Sequence, residues 1–157
     1  MNIRLLAIGK TDNKALQTLI DDYTKRLSFY VKFDLEVIAD IKNVKNLSEK
    51  QQKEKEGELI LSKISNTDHL ILLDENGKTF SSLGFSEELQ KKMNAGIKTL
   101  VFVIGGPYGF SEEVYKKANG KISLSAMTFS HQIVRLFVIE QIYRGFTILK
   151  NEPYHHQ

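Results

Sequence analysis

The residues with most capacity for chemistry lie in the last third of the chain. Gly105-Gly106-Pro107-Tyr108-Gly109 follows directly on the apolar run Thr99–Ile104. Adjacent glycines let a backbone approach a ligand closely, and proline stiffens the turn. The run lacks the G-x-G-x-x-G spacing of a dinucleotide turn and the closing Gly-Lys-Ser/Thr of a phosphate loop, which makes nucleotide hydrolysis a poor reading. A ligand cradle and a plain strand-to-helix turn both stay open. Leu124-Ser125-Ala126-Met127-Thr128-Phe129-Ser130-His131 combines small, hydroxyl-bearing and flexible apolar side chains. That mixture suits a pocket for an adenine and a thioether, and equally an ordinary buried connection.

His131 opens a helix, where capping or packing is its default role, and His155 and His156 close the chain behind Pro153-Tyr154. Four scattered histidines and no cysteine give no metal-ligand spacing, no disulfide framework and no thiolate nucleophile. Arg135 and Arg144 are nine residues apart on the last helix and point to roughly opposite sides at ~3.6 residues per turn. Glu140, four residues before Arg144, accounts for that arginine as a local ion pair. Arg135 has no such partner and is the candidate for an anionic ligand or a cross-dimer contact.

The elements that must position these residues alternate. Ile3–Ile8, Phe33–Ile38, His69–Leu73, Thr99–Ile104 and Lys121–Ser125 read as strands. Ala15–Leu27, with Leu16, Leu19, Ile20, Tyr23 and Leu27 on one stripe, reads as an amphipathic helix. Ser48…Gln51 is a capping-box pattern opening a charge-laced helix to Ile64, whose lysine- and glutamate-rich face is expected to be solvated. Ser86–Met93 reads as a short helix capped by Ser86, Asp74-Glu75-Asn76-Gly77 as a turn, and Ser111-Glu112-Glu113 as a helix start. His131–Phe146 is the longest apolar-rich helix. Alternation of this kind predicts a single α/β domain over residues 1–157 with a mainly parallel sheet, and ligands then collect beyond the carboxyl ends of strands. The last helix is apolar on two sides, which predicts a sheet contact on one and a partner subunit, through Ile142 among others, on the other.

Composition sets the bounds. The chain has 157 residues, 41% hydrophobic and 26% charged, enough for one buried core. No apolar run approaches the ~20 residues needed to cross a bilayer, and Met1–Leu6 turns polar too quickly for a signal peptide. The lack of cysteine suits a cytoplasmic protein. Residues 1–114 carry 16 basic and 17 acidic side chains, a net of −1, whereas residues 115–157 carry six basic and two acidic, a net of +4. A basic end on a near-neutral body points to a polyanionic partner or is an uneven, inert surface.

Ile104-Gly105-Gly106-Pro107, Leu124-Ser125-Ala126-Met127-Thr128, His131, Arg135, Glu140-Gln141, Tyr143-Arg144 and the closing Tyr154-His155 together resemble the RlmH family. Its members are small SPOUT enzymes that methylate N3 of a pseudouridine in large-subunit (23S) ribosomal RNA. The resemblance spans the whole chain and rests on the order and spacing of these motifs. It implies a SPOUT-type α/β knot, with the C-terminal part threaded into a trefoil. It implies S-adenosyl-L-methionine held by Leu73 and Asp74, by Gly105, Gly106 and Pro107, and by Leu124, Ser125, Ala126, Met127, Thr128 and Phe129. It further implies a cytoplasmic homodimer joined through the last helix and acting on the assembled ribosome. Tyr154 and His155 would then stand near the target base, and His131, Arg135 and His156 near the RNA.

Sulfonium methyl transfer is an in-line displacement needing neither metal nor covalent enzyme nucleophile, and His155 would orient the base or take its proton. Three positions depart from the family pattern: Tyr108 in the glycine loop, Gly145 in place of alanine, and His156 in place of lysine or arginine. Two other readings stand beside this one. A SPOUT enzyme acting on tRNA ribose would use an arginine in the first motif, and Arg4 sits in no motif that matches. A non-catalytic ribosome-associated protein would have no need of intact glycine loops.

Overall fold

Strand alternation decides the layering. In β1 (Asn2–Ile8), Ile3, Leu5 and Ala7 enter one core while Leu6 and Ile8 enter another. β4 (Thr99–Ile104) divides the same way, with Leu100, Phe102 and Ile104 on one side and Val101 and Val103 on the other. A strand apolar on both faces needs helices on both, as parallel sheets require. The computed structural model, which describes residues 1–156, supplies them.

The remaining elements are α1 (Lys14–Leu27), β2 (Lys32–Ile38), α2 (Glu49–Ser62), β3 (His69–Thr79), α3 (Ser82–Asn94), α4 (Glu112–Lys117), β5 (Gly120–Ser123) and α5 (Ile133–Leu149). The five strands run in the order β2-β1-β4-β3-β5, and every pairing is parallel. Helices α1, α3 and α5 bury Ile20, Leu27, Phe85, Leu89, Val138, Ile139, Ile142 and Phe146 on one face. Helices α2 and α4 bury Ile60 and Val114 on the other. Each crossover reverses direction along the sheet and switches face, as one crossover hand demands. α5 packs between α1 and α3. Among the described residues no helix is long and apolar enough to cross a membrane.

Local chemistry explains most element ends. Ser48 and Gln51 form the reciprocal capping box at the start of α2. Ser111 caps α4, whose first turn carries Glu112 and Glu113. Two expected boundaries shift. Asp74–Gly77 does not end β3: the strand bulges there and rejoins β5 at Lys78 and Thr79. A Cβ on Gly77 would lie 2.5 Å from the backbone carbon of Ile122, so only glycine lets the strand return that closely. α3 starts earlier than expected, with Ser81 accepting from the Gly84 amide at 3.1 Å. Ser86 is buried within the helix and donates to the Leu83 carbonyl. Gly84 in the first turn had disguised the helix.

The largest correction concerns Arg135, which is not an exposed anion contact. Its side chain has 0% exposure. Nη2 donates to the Ile8 carbonyl at 2.7 Å, Nη1 to Thr11 Oγ1 at 3.0 Å and Nε to the His131 carbonyl at 3.1 Å. Two of those acceptors lie more than 120 residues away in the chain, which is why local pairing could not reveal them. Ile142 is likewise buried in the chain's own core and does not face a partner. Replacing Arg135 with Met strands these oxygens, and stability should fall by about 2–4 kcal/mol. A urea midpoint equal to that of the unchanged protein would show that the carbonyls find other donors.

Candidate active site

Three segments converge beyond the carboxyl ends of β3, β4 and β5 and enclose a cavity of about 540 Å³. That volume falls in the range of small-molecule sites, roughly 300–1,000 Å³. Leu73 and Asp74 come from the β3 bulge, Gly105, Gly106 and Pro107 from the loop after β4, and Leu124, Ser125, Met127, Thr128 and Phe129 from the loop after β5. Of the residues expected around a cofactor, Ala126 alone is not in the lining, and His131 joins it.

Each segment has a physical reason for its course. The glycine loop is held from behind: a Cβ on Gly106 would stand 2.3 Å from Glu56 Oε2, and one on Gly105 would stand 3.0 Å from the Phe110 ring. Close approach, not unusual φ, favours glycine at both positions. In the 124–131 loop the hydroxyls shape the chain. Ser123 donates to the Ser125 carbonyl, Ser125 Oγ accepts from the Met127 amide, and Ser130 Oγ accepts from the Ile133 amide at the start of α5.

Asp74 is fixed on both oxygens. The Asn76 amide donates to Oδ1 at 2.8 Å and the Tyr115 hydroxyl to Oδ2 at 2.5 Å. Burial and the Asp74 carboxylate push the Tyr115 phenol up to about 12. The cavity therefore offers a carboxylate with spare lone pairs beside apolar Leu73, Ile104, Leu124, Met127 and Val134. That set matches a ligand with hydroxyl groups, a positive centre and a flat ring. Tyr115 and Asn76 escaped sequence reasoning, since the Tyr115–Asp74 contact spans 41 residues and leaves no local pattern.

The C-terminal residues gather elsewhere, around Glu140. Its Oε1 accepts from Arg144 Nη2 at 2.6 Å and Nε at 3.0 Å, and from the Tyr154 hydroxyl at 3.0 Å. Tyr23 and Tyr154 share a further hydroxyl contact at 3.1 Å, Arg144 lies 4.7 Å over the Tyr154 ring, and Tyr30 bonds Glu152. Burial, then Tyr23 and Glu140, raise the Tyr154 phenol far above its ordinary value, so it stays protonated. His155 Nδ1 is 3.3 Å from Arg144 Nη1. A guanidinium can only donate, so Nδ1 accepts and Nε2 carries the proton as a donor. His156 is exposed beside it.

The two groups of residues do not meet within one chain. Val134 lines the cavity and Arg144 holds His155, and ten residues of helix separate them by about 15 Å. The stripe of α5 between them bears Ile133, Phe137, Glu140, Gln141 and Arg144. Its cavity end is apolar and open: Ile133 is 44% and Phe137 42% exposed, next to Met127 at 76%.

The chain resembles known proteins along its full length. Residues 1–155 match a family described as "Predicted SPOUT methyltransferase". The proteins named "Ribosomal RNA large subunit methyltransferase H" from Flavobacterium johnsoniae and Flavobacterium psychrophilum are each 86% identical to it over 157 residues, covering all of both chains. The protein of the same name from Christiangramia forsetii is 67% identical over the same span.

Glu140 anchors the tail through one charge-assisted bond from Tyr154, worth about 1.5–3 kcal/mol, and holds Arg144 where it meets His155. Glu140→Ala should release Tyr154 and His155, and amide hydrogen exchange at Glu152 and Tyr154 should speed up about tenfold or more. Unchanged exchange would mean that the Tyr30 and Tyr143 contacts hold the tail without it.

Proposed function

The chain belongs to the SPOUT methyltransferase family, and we propose that it uses S-adenosyl-L-methionine to methylate N3 of a pseudouridine in large-subunit (23S) ribosomal RNA, acting on the assembled ribosome in the cytoplasm. The observation that carries the reading is the full-length identity to relatives named for large-subunit ribosomal RNA methylation. The convergence of three separate segments on one cavity supports it.

The residues present fit the cofactor. Asp74 would accept from ribose hydroxyls and its charge would favour a cationic ligand, while Leu73, Leu124 and Phe129 offer apolar walls to a purine. Gly105, Gly106 and Pro107, with Ser125, Met127 and Thr128, would complete the enclosure, while Ala126 stands outside the lining. When bound, the cofactor supplies a methyl group on a sulfonium, ready for in-line transfer. The chain's own task is alignment and exclusion of water. The trefoil knot of the fold would form from the same three segments.

His155 acts as an orienting donor: Nε2–H reaches the base while Arg144 holds the opposite nitrogen. Tyr154, protonated and packed edge-on against Tyr143 at 4.8 Å, holds the tail in place. Because this pair is about 15 Å from its own cavity, a second copy must complete the site. An isologous dimer with antiparallel α5 helices brings the partner's tail to each cavity and covers Ile133 and Phe137. The chain exposes 9270 Å², against roughly 8,000 Å² for a compact monomer of this mass, which agrees with an uncovered interface. His131 at the cavity rim and exposed His156 are the RNA contacts of this reading; Arg135 is not among them. A ribose-methylating role gains nothing from Arg4, whose guanidinium is spent on Glu36 and Asp68.

Labelled S-adenosyl-L-methionine mixed with ribosomes lacking the modification should mark N3 of one pseudouridine, identified by nucleoside mass spectrometry. Label on tRNA alone, or bound cofactor with no label on any RNA, would overturn the substrate. His155→Ala should lower kcat at least a hundredfold with cofactor affinity within about twofold. Phe137→Glu should sediment as a monomer and lose turnover, and an intact dimer would move the interface elsewhere.

A further inference from the structure

Glu56 lies on α2 immediately behind the glycine loop and is 4% exposed. Its Oε1 accepts from Gln52 Nε2 at 3.0 Å, and its Oε2 has no hydrogen-bond partner among the described residues. Both oxygens press on Gly106, where an added Cβ would lie 2.3 Å from Oε2 and 2.6 Å from Oε1. The next residue grips the far end of the same turn: a Cβ on Gly57 would stand 2.3 Å from Ser111 Oγ. α2 thus backs the loop at both of its ends.

A buried carboxyl oxygen without a partner destabilises a fold, and an apolar side chain of the same size would serve packing better. Among the described residues no cation forms an ion pair with Glu56. The groups around it are Gln52 on α2, Asp40 after β2 and the loop itself. Burial first, and Asp40 in addition, push its carboxyl above the usual carboxylate range, against the opposing pull of Gln52. In its protonated form the acid has one O–H to give, and Gly106 of the loop is what it lies against.

We propose that Glu56 is a positioning residue for the methyl-donor cavity: its carboxyl gains its missing hydrogen-bond partner from the Gly105–Gly109 backbone when the cavity fills, and so holds the loop in its binding form. This rests on the reading that the cavity takes S-adenosyl-L-methionine. Ionisation of Glu56 removes the donor and weakens binding as pH rises. The folded-state value lies above that of the unfolded chain, so the contribution of the neutral form to stability is likewise lost as pH rises through the folded value.

Titration calorimetry with S-adenosyl-L-methionine, from about pH 5 to 9, tests this on the intact protein and two variants. Wild-type affinity should fall at least fivefold across the range. Glu56→Gln, whose amide keeps a donor, should bind like the low-pH wild type throughout. Any fall shared with the wild type belongs to groups other than Glu56. Glu56→Leu, checked for folding by its Tm, should bind at least tenfold more weakly. Identical pH profiles for wild type and Glu56→Gln, or wild-type affinity in Glu56→Leu, would overturn the role of Glu56 and leave the methyl-donor reading standing. Absence of binding by the wild type at every pH would overturn that reading, and the role of Glu56 with it.

Discussion

A guanidinium sealed from solvent keeps this site in register. Removing a cation from water costs several kcal/mol, and Arg135 offsets that through three oxygen acceptors and the nearby charges of Asp12 and Asp40. Its bonds run from α5 to the end of β1. The neighbouring side chain repeats the tie, since Gln132 exchanges two hydrogen bonds with Asp12. Once the start of α5 is pinned to the sheet, the segment from Leu124 to His131 has a fixed span to cross. It closes the cavity along that path.

The same helix distributes its surface among several tasks. Val138, Ile139, Ile142 and Phe146 fill the core, Gly145 admits Leu89 within 2.8 Å of where a Cβ would be, and Glu140 organises the tail. The outward stripe changes character along its length, from apolar Ile133 and Phe137 to the Glu140–Arg144 ion pair.

Much of this was legible in the sequence because local rules govern it. β1, β2, β4, α1, the capping box at Ser48 and the start of α4 follow from period and cap chemistry, and they stand where expected. Two segments, Gly105–Gly109 and Leu124–His131, stood out for ligand approach, and both reach the cavity, as do Leu73 and Asp74, which the family resemblance implied. What stayed hidden depends on distant partners. Arg135 looked free because its acceptors are carbonyls far along the chain. The β3 bulge looked like a turn because Gly77 serves either purpose until Ile122 is seen beside it. Glu56 sat within a charge-rich helix face expected to be solvated, and its burial follows only from where α2 meets the glycine loop.

The strand order also dictates how the molecule comes into being. β4 lies between β1 and β3, although both are synthesised before it. Until Thr99–Ile104 emerges, the nascent chain holds two unjoined pieces, the β1–β2 pair and the lone strand β3. α5 arrives later still, into a slot lined by residues from both pieces. Parallel strands joined out of sequence order make such assembly slow and leave hydrophobic edges waiting. The cavity cannot exist on a chain made only as far as β4, because its last wall and the helix that braces it follow that strand.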